Sequence, residues 1–230
     1  MRTRIPVVLA VLAAPLLAAC HSLHAPADPL SDAPEVWPTF RRPIQNVASY
    51  DEALRAWRNA DDLNAWIGEK FEYDAARAIL LSETQRVRNA RLPIHDPGEF
   101  FAQPRGVCVD LSRFAVETLR ITDPQAKPAY VMIEFDPLLI SGNTLRRHWI
   151  ASFERAGQRY FFADSKRPGH IAGPYPSTQS FIEDYERYRG RRIVAFREMD
   201  SYQRTQRKLA APRVSTPCAD HRCTRTPPQS

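Results

Sequence analysis

Cys108, His148 and Asp164 are the residues of this chain whose types and order suit acyl transfer at an amide. A thiol attacks, an imidazole carries its proton, and a carboxylate orients the ring. Cys108 stands in "FFAQPRGVCVDLSRFAVETLR", just past a Pro-Arg-Gly turn and at the start of a helical pattern. The first turn of a helix and a neighbouring imidazolium both favour a thiolate. Gly106, two residues earlier, lets the backbone come close to a substrate.

The base is found among the histidines. His21 and His24 precede the patterned part of the chain, and His221 follows it. His95 and His170 fall in Pro/Gly loops, whereas His148 begins a strand. The segments "HWIASFE" and "RYFFAD" flank the turn "RAGQ" as a hairpin. A three-residue loop, Arg155-Ala156-Gly157, suits a Gly in the left-handed conformation at its last position. That loop pairs Glu154 with Gln158 and, further out, His148 with Asp164. Directly opposite residues share a face of the sheet. A two-residue loop would put them on opposite faces, because a slip of one residue flips a strand.

The remaining cysteines bear on Cys108. Cys20 ends the leader described below, and Cys218 and Cys223 lie close together in "CADHRC". If Cys20 carries lipid and the last two close a small loop, Cys108 is left as a free thiol in an exported protein, which marks it as reactive. The plain alternative is a buried, inert cysteine. "CADHRC" has too few well-spaced ligands for a zinc site, and a disulfide or a disordered tail suits it better.

The elements that must position these residues follow from periodicity. Ser49 can cap a helix over "YDEALRAWRNA", and "DDLNAWIGEKFEYDAARAILLSETQR" continues as a second helical run with Leu63, Trp66, Ile67 and Phe71 on one face. "NARLPIHDPGEFFAQPRG" is a loop with a short helical turn. "VCVDLSRFAVETLRI" is a helix whose Leu111, Phe114, Ala115, Thr118 and Leu119 form the apolar side. "AYVMIEF", the hairpin and "RIVAF" are strands, with a late helix over "SFIEDYERYRG". Trp57, Trp66 and Tyr73 are core residues on this reading, and the Arg-rich run from Arg187 to Lys208 is a solvated face. Helices first and an antiparallel sheet afterwards make an α+β domain over 49–202.

The ends are of another kind. Arg2 and Arg4 precede the apolar stretch Ile5 to Leu17 and the small residues of "LAAC", so residues 1–20 have the pattern of a signal peptide. The apolar stretch is shorter than the roughly 20 residues that span a bilayer. Residues 21–48, with "HAPADPLSDAPEVWP", form a Pro/Ala-rich tether, with Trp37 and Phe40 available to pack back, and 203–230 form a basic, disordered tail. The formal charge of +6 falls to +4 once Arg2 and Arg4 leave. That mild excess suits an anionic envelope surface and gives little support to nucleic-acid binding.

"LAAC" resembles the bacterial lipobox, which implies lipidation of Cys20, palmitate included. His21 in place of Asp at the next position implies the outer membrane, facing the periplasm. "RGVCVDLSRFAVETL", "KPAYVMIEF" and "HWIASFERAGQRYFFADSK" in that order, with "LNAWIGEKFEYD" upstream, resemble the transglutaminase-like superfamily. The resemblance covers about Asp61 to Gly169 and implies a papain-like core. Cys108 would be the nucleophile, His148 the base and Asp164 the orienting acid. The backbone N–H of Cys108 and the side chain of Gln103 would serve the oxyanion, although Gln103 also fits a plain loop. "HDPGEFFAQPRGVC" resembles the periplasmic transglutaminase-like cysteine peptidases that clip surface proteins. That branch has acids beside its cysteine, some serving calcium. Val107 and Val109 stand there here, which argues against a calcium site, and Asp110 reads as a first-turn helix acid.

The expectation is a periplasm-facing lipoprotein that hydrolyses or transfers an amide of an envelope protein or peptide, as a thiol peptidase, amidase or transamidase. It needs no cofactor and no metal, and it meets the membrane through Cys20 and no nucleic acid. The rival is a non-catalytic binding or scaffold module on the same fold.

Overall fold

Ser49 opens the first helix as its sequence suggests: its hydroxyl accepts from Glu52 N–H, and α1 runs Tyr50–Ala56. The computed structural model describes residues 32–35, 44–86, 92–140 and 143–203. The leader, Cys20, Trp37, Phe40, Cys218, Cys223 and most of the basic tail lie outside the described residues. No helix among the described residues is long and apolar enough to cross a membrane.

The second helical run is divided. Asn59 caps α2 (Ala60–Lys70), which ends at Phe71. Two residues then form a short strand, β1 (Glu72–Tyr73), before Asp74 caps α3 (Ala75–Leu80), followed by α4 (Glu83–Arg86). An Asp that accepts from its own third following N–H starts a helix rather than continuing one. The loop turn becomes α5 (Pro97–Ala102), opened by a reciprocal Asp96/Glu99 capping pair. β2 (Arg105–Gly106) pairs parallel with β1. α6 (Cys108–Thr122) follows at once.

After a single 3-10 turn at Pro124–Ala126 the chain enters the sheet. Its strands are β3 (Ala129–Ile140), β4 (Asn143–Arg155), β5 (Gln158–Phe162), β6 (Ala172–Tyr175) and β7 (Ile193–Met199). Their order is β6-β5-β4-β3-β7, every pair antiparallel. α7 (Thr178–Arg189) lies between β6 and β7 in sequence. The architecture is mixed helix and antiparallel sheet, as the order of patterns predicted. β6 was not foreseen, because "AGPY" carries a Gly and a Pro and no alternation.

Two cores flank the sheet. One joins the N-terminal helices and α6 to Tyr130, Met132, Trp149, Ala151, Phe153 and Phe162. The expected apolar side of α6 is there: Leu111, Phe114, Ala115, Thr118 and Leu119 are fully buried. Trp57 and Trp66 pack against Phe114, and Trp66 stacks on Phe101 at 5.0 Å. The other core joins α7, through Phe181, Ile182 and Tyr185, to Val131, Ile133, Phe135, Ile150 and Phe161.

The β4–β5 turn differs from expectation. Arg155 pairs with Gln158 and Glu154 with Arg159, so the loop has two residues, not three. Ala156 and Gly157 both have positive φ, 51° and 74°. That is the two-residue turn whose twist matches the flanking strands. The register therefore sets His148 opposite residue 165, not Asp164. The Arg-rich run is also not uniformly solvated, since Arg189 and Arg191 are buried. Arg191 donates to the carbonyls of Asp136 and Leu145, and Arg189 belongs to the site below.

Candidate active site

α6 begins at Cys108, which is buried and in no disulfide among the described residues. What sets the helix start is Asp110. Its carboxylate takes Arg77 Nε and Nη2, both at 2.7 Å, the Val107 N–H at 3.0 Å and the His95 N–H at 3.0 Å. Arg77 Nη2 continues to the Pro93 carbonyl. One buried acid thus ties α3, the loop before α5 and the first turn of α6 together. This goes well beyond a simple first-turn helix acid. It also changes the role of Gly106. A Cβ there would meet the Asp110 Cβ at 2.9 Å and Oδ2 at 3.0 Å, so the glycine makes room for Asp110.

His148 lies on the α7 face of β4, fully buried, stacked on Tyr185 with ring centroids 6.0 Å apart. Asp164 reaches it by a break in the strand. Phe162 and Ala163 both belong to the α6-side core, so the alternation of β5 fails there. Ala163 has φ 57°, a left-handed conformation that turns the chain. Asp164 is thereby brought back to the His148 face despite the register. Its Oδ1 lies 3.0 Å from His148 Nε2 and accepts the Lys166 N–H at 2.9 Å. Its Oδ2 accepts from the Tyr185 hydroxyl at 2.9 Å. His148 and Asp164 thus meet as expected, but through the strand break at Ala163 and not through a three-residue turn.

The other ring nitrogen, Nδ1, lies beside Asp32. Cys108 Sγ, a His148 ring nitrogen and an Asp32 carboxylate oxygen all lie within 4.8 Å of one another. Asp32 Oδ2 is 3.2 Å from Nδ1, a close ion pair that is not aligned as a hydrogen bond, and Nδ1 has no hydrogen-bond partner among the described residues. Asp32 Oδ1 takes Arg189 Nη2 at 2.7 Å. Residues 32–35, expected within a tether, therefore lie against the domain.

Charge balance is set by these contacts. Burial alone would discharge the His148 ring. Tyr185 stacked on it and the carboxylates of Asp32 and Asp164 outweigh burial and hold its pKa well above the ordinary histidine value. Burial likewise opposes the charge of Asp164, but the hydrogen bond and charge of His148, with Arg189 and Arg167, keep that carboxyl below the usual range. Asp32 is lowered against its own burial by His148 and Arg189. These contacts favour the charged form of the ring.

Tyr73, expected in the core, is also at this site. Burial raises its phenol, and the nearby Asp32 carboxylate raises it further. The oxyanion expectation divides. The Cys108 N–H opens α6, where geometry leaves it without an intrahelical acceptor. Gln103 is exposed at the end of α5, and no contact brings its side chain to Cys108. Asp32, Cys108 and His148 have ligand types a metal could use. The Arg189 guanidinium already bound to Asp32 works against a further cation. Asp32, Tyr185 and Arg189 were missed: Asp32 lies far away in a low-complexity stretch, and Arg189 in a run that looks solvated.

No family model matches the chain, and no curated protein matches it. A solved structure, calcium-bound LapG of Legionella pneumophila, aligns with 66% of this chain and 73% of its own at 14% identity and a TM-score of 0.37.

Proposed function

We propose that this protein is a thiol-dependent amide hydrolase or acyltransferase with a papain-like, transglutaminase-like core, working on a protein or peptide of the cell envelope. The observation that carries it is the position of His148, with Nε2 on Asp164 at 3.0 Å and a ring nitrogen within 4.8 Å of the Cys108 thiol. Cys108 attacks the amide carbon as the thiolate, its proton already held on the His148 ring, whose charged form the neighbouring carboxylates favour. The carbonyl oxygen gains charge beside the Cys108 N–H. His148 returns the proton to the leaving amine, and a thioester on Cys108 remains. Water then frees the acid, or an amine forms a new amide. Asp164, held by Tyr185 and the Lys166 N–H, keeps the ring oriented. The leader pattern and Cys20 support delivery as a lipidated outer-membrane protein facing the periplasm.

The test is p-nitrophenyl acetate. A burst of nitrophenolate with an acetyl group mapped to Cys108, absent in Cys108→Ala and His148→Ala, supports acyl-enzyme chemistry. Wild-type protein that gives no burst and no adduct would favour the non-catalytic module.

A further inference from the structure

A segment of the chain itself lies against the surface beside Cys108 and His148. Residues 32–35, Asp-Ala-Pro-Glu, place two carboxylates into two prepared positions. The first position is built around Arg189. Its guanidinium is only 3% exposed, lies 5.1 Å from the Phe135 ring and 5.6 Å from that of Tyr185, and donates from Nη1 to the Tyr185 hydroxyl at 2.9 Å. These contacts fix the group without help from Asp32. Its Nε has no hydrogen-bond partner among the described residues. A buried cation held in this way needs an anion, and Asp32 supplies it at 2.7 Å.

The second position is built from Lys166 and Tyr188. Glu35 Oε2 accepts from the Tyr188 hydroxyl at 2.8 Å, and Oε1 lies 3.7 Å from Lys166 Nζ, a side chain 6% exposed. Glu35 N–H also donates to the Lys166 carbonyl at 3.0 Å. A backbone bond of this kind, with pockets for selected side chains, is how a cleft holds an extended peptide. Pro34 favours an extended Ala33 before it. Asp32 Oδ2 meanwhile stands 3.2 Å from His148 Nδ1, and an Asp32 carboxylate oxygen lies within 4.8 Å of the Cys108 sulfur.

We propose that this cleft is a binding site for an extended acidic peptide with carboxylates three residues apart, occupied in cis by Asp32–Glu35 until an acidic substrate displaces it. The word substrate rests on the acyl-transfer reading; the binding does not. A site occupied in this way binds an outside ligand only in its open fraction.

The experiment uses the full chain carrying Cys108→Ala, with and without Asp32→Asn plus Glu35→Gln. The probes are a fluorescent Ser-Asp-Ala-Pro-Glu-Val peptide and its Ser-Asn-Ala-Pro-Gln-Val counterpart, followed by anisotropy. The acidic peptide is expected to bind about tenfold more tightly to the doubly neutralised chain than to the chain that keeps Asp32 and Glu35. It is expected to bind about tenfold more tightly than its neutral counterpart to either. Equal binding of the two peptides, no gain on neutralising the segment, or no binding at all overturns the proposal. If the doubly neutralised chain does not fold, the two-peptide comparison on the other chain decides alone. Discrimination between peptides without a nitrophenolate burst leaves the cleft assignment standing and removes the chemistry. A burst without discrimination does the reverse.

Discussion

Arg77 and Asp110 are joined by two parallel bonds of 2.7 Å, with the carboxylate fully buried at the start of the Cys108 helix. The fork geometry is the strong form of the pair. Removing one partner strands the other charge inside. Asp110→Ala is expected to cost about 3–5 kcal/mol, and Arg77→Ala a similar amount. The double variant should lose clearly less than the sum, since the two act on one contact. Urea unfolding of the four proteins checks this.

Gly106 packs against the same acid. A methyl group there would press on Asp110 at 2.9–3.0 Å. Gly106→Ala is expected to destabilise by about 1–3 kcal/mol through overpacking. It should also slow alkylation of Cys108 by iodoacetamide, because the helix start must shift. Unchanged stability and rate would mean that Asp110 yields without cost.

Ala163 is the hinge of the His148–Asp164 contact. It is fully buried with φ 57°. Ala163→Gly keeps the left-handed turn open and should preserve the contact. Ala163→Val puts a branched side chain in a conformation that already costs an L-residue about 1–2 kcal/mol. It should lose stability and shift the His148 ring resonances in NMR, while Ala163→Gly leaves them in place.

The site has a pH window. His148 is raised above its unfolded value, so its contribution is full below about pH 6.5 and fades as pH climbs through the higher folded value. Asp164 and Asp32 are lowered, so theirs is full above about pH 3.9 and fades as pH falls through the lower folded values. Tyr185 and Arg189 face the same groups, are both raised further above this range, and so do not titrate in it, and Arg167 Nε lies 3.8 Å from Asp164 Oδ2. Stability should therefore be greatest between about pH 4 and 6.5. In His148→Ala the decline on the alkaline side should be much reduced. Urea midpoints measured across pH for both proteins test the sign.

What the sequence disclosed depended on whether the signal was local. The α6 face, the placement of His148 on a strand and the helices-then-sheet order follow from short-range periodicity, and all appear in the structure. The turn was misassigned because Ala156, a residue with no turn signature, takes a positive φ beside Gly157. The strand break at Ala163 was invisible for the same reason. Asp32 and Arg189 are 157 residues apart and meet only in the folded chain. No spacing rule connects a Pro-rich stretch to the end of α7. Arg189 was hidden among neighbouring arginines, because burial on Phe135 and Tyr185 leaves no mark in composition.

The central claim is that His148 serves the Cys108 thiol, and the rate of Cys108 alkylation tests it most directly. The measurement is the second-order rate with iodoacetamide at pH 6, in the chain carrying Asp32→Asn and Glu35→Gln, with and without His148→Ala. The expected result is a fall of about a hundredfold when the imidazole is removed. Equal rates in the two proteins would show that the ring does nothing for the thiol, and the acyl-transfer account would be wrong.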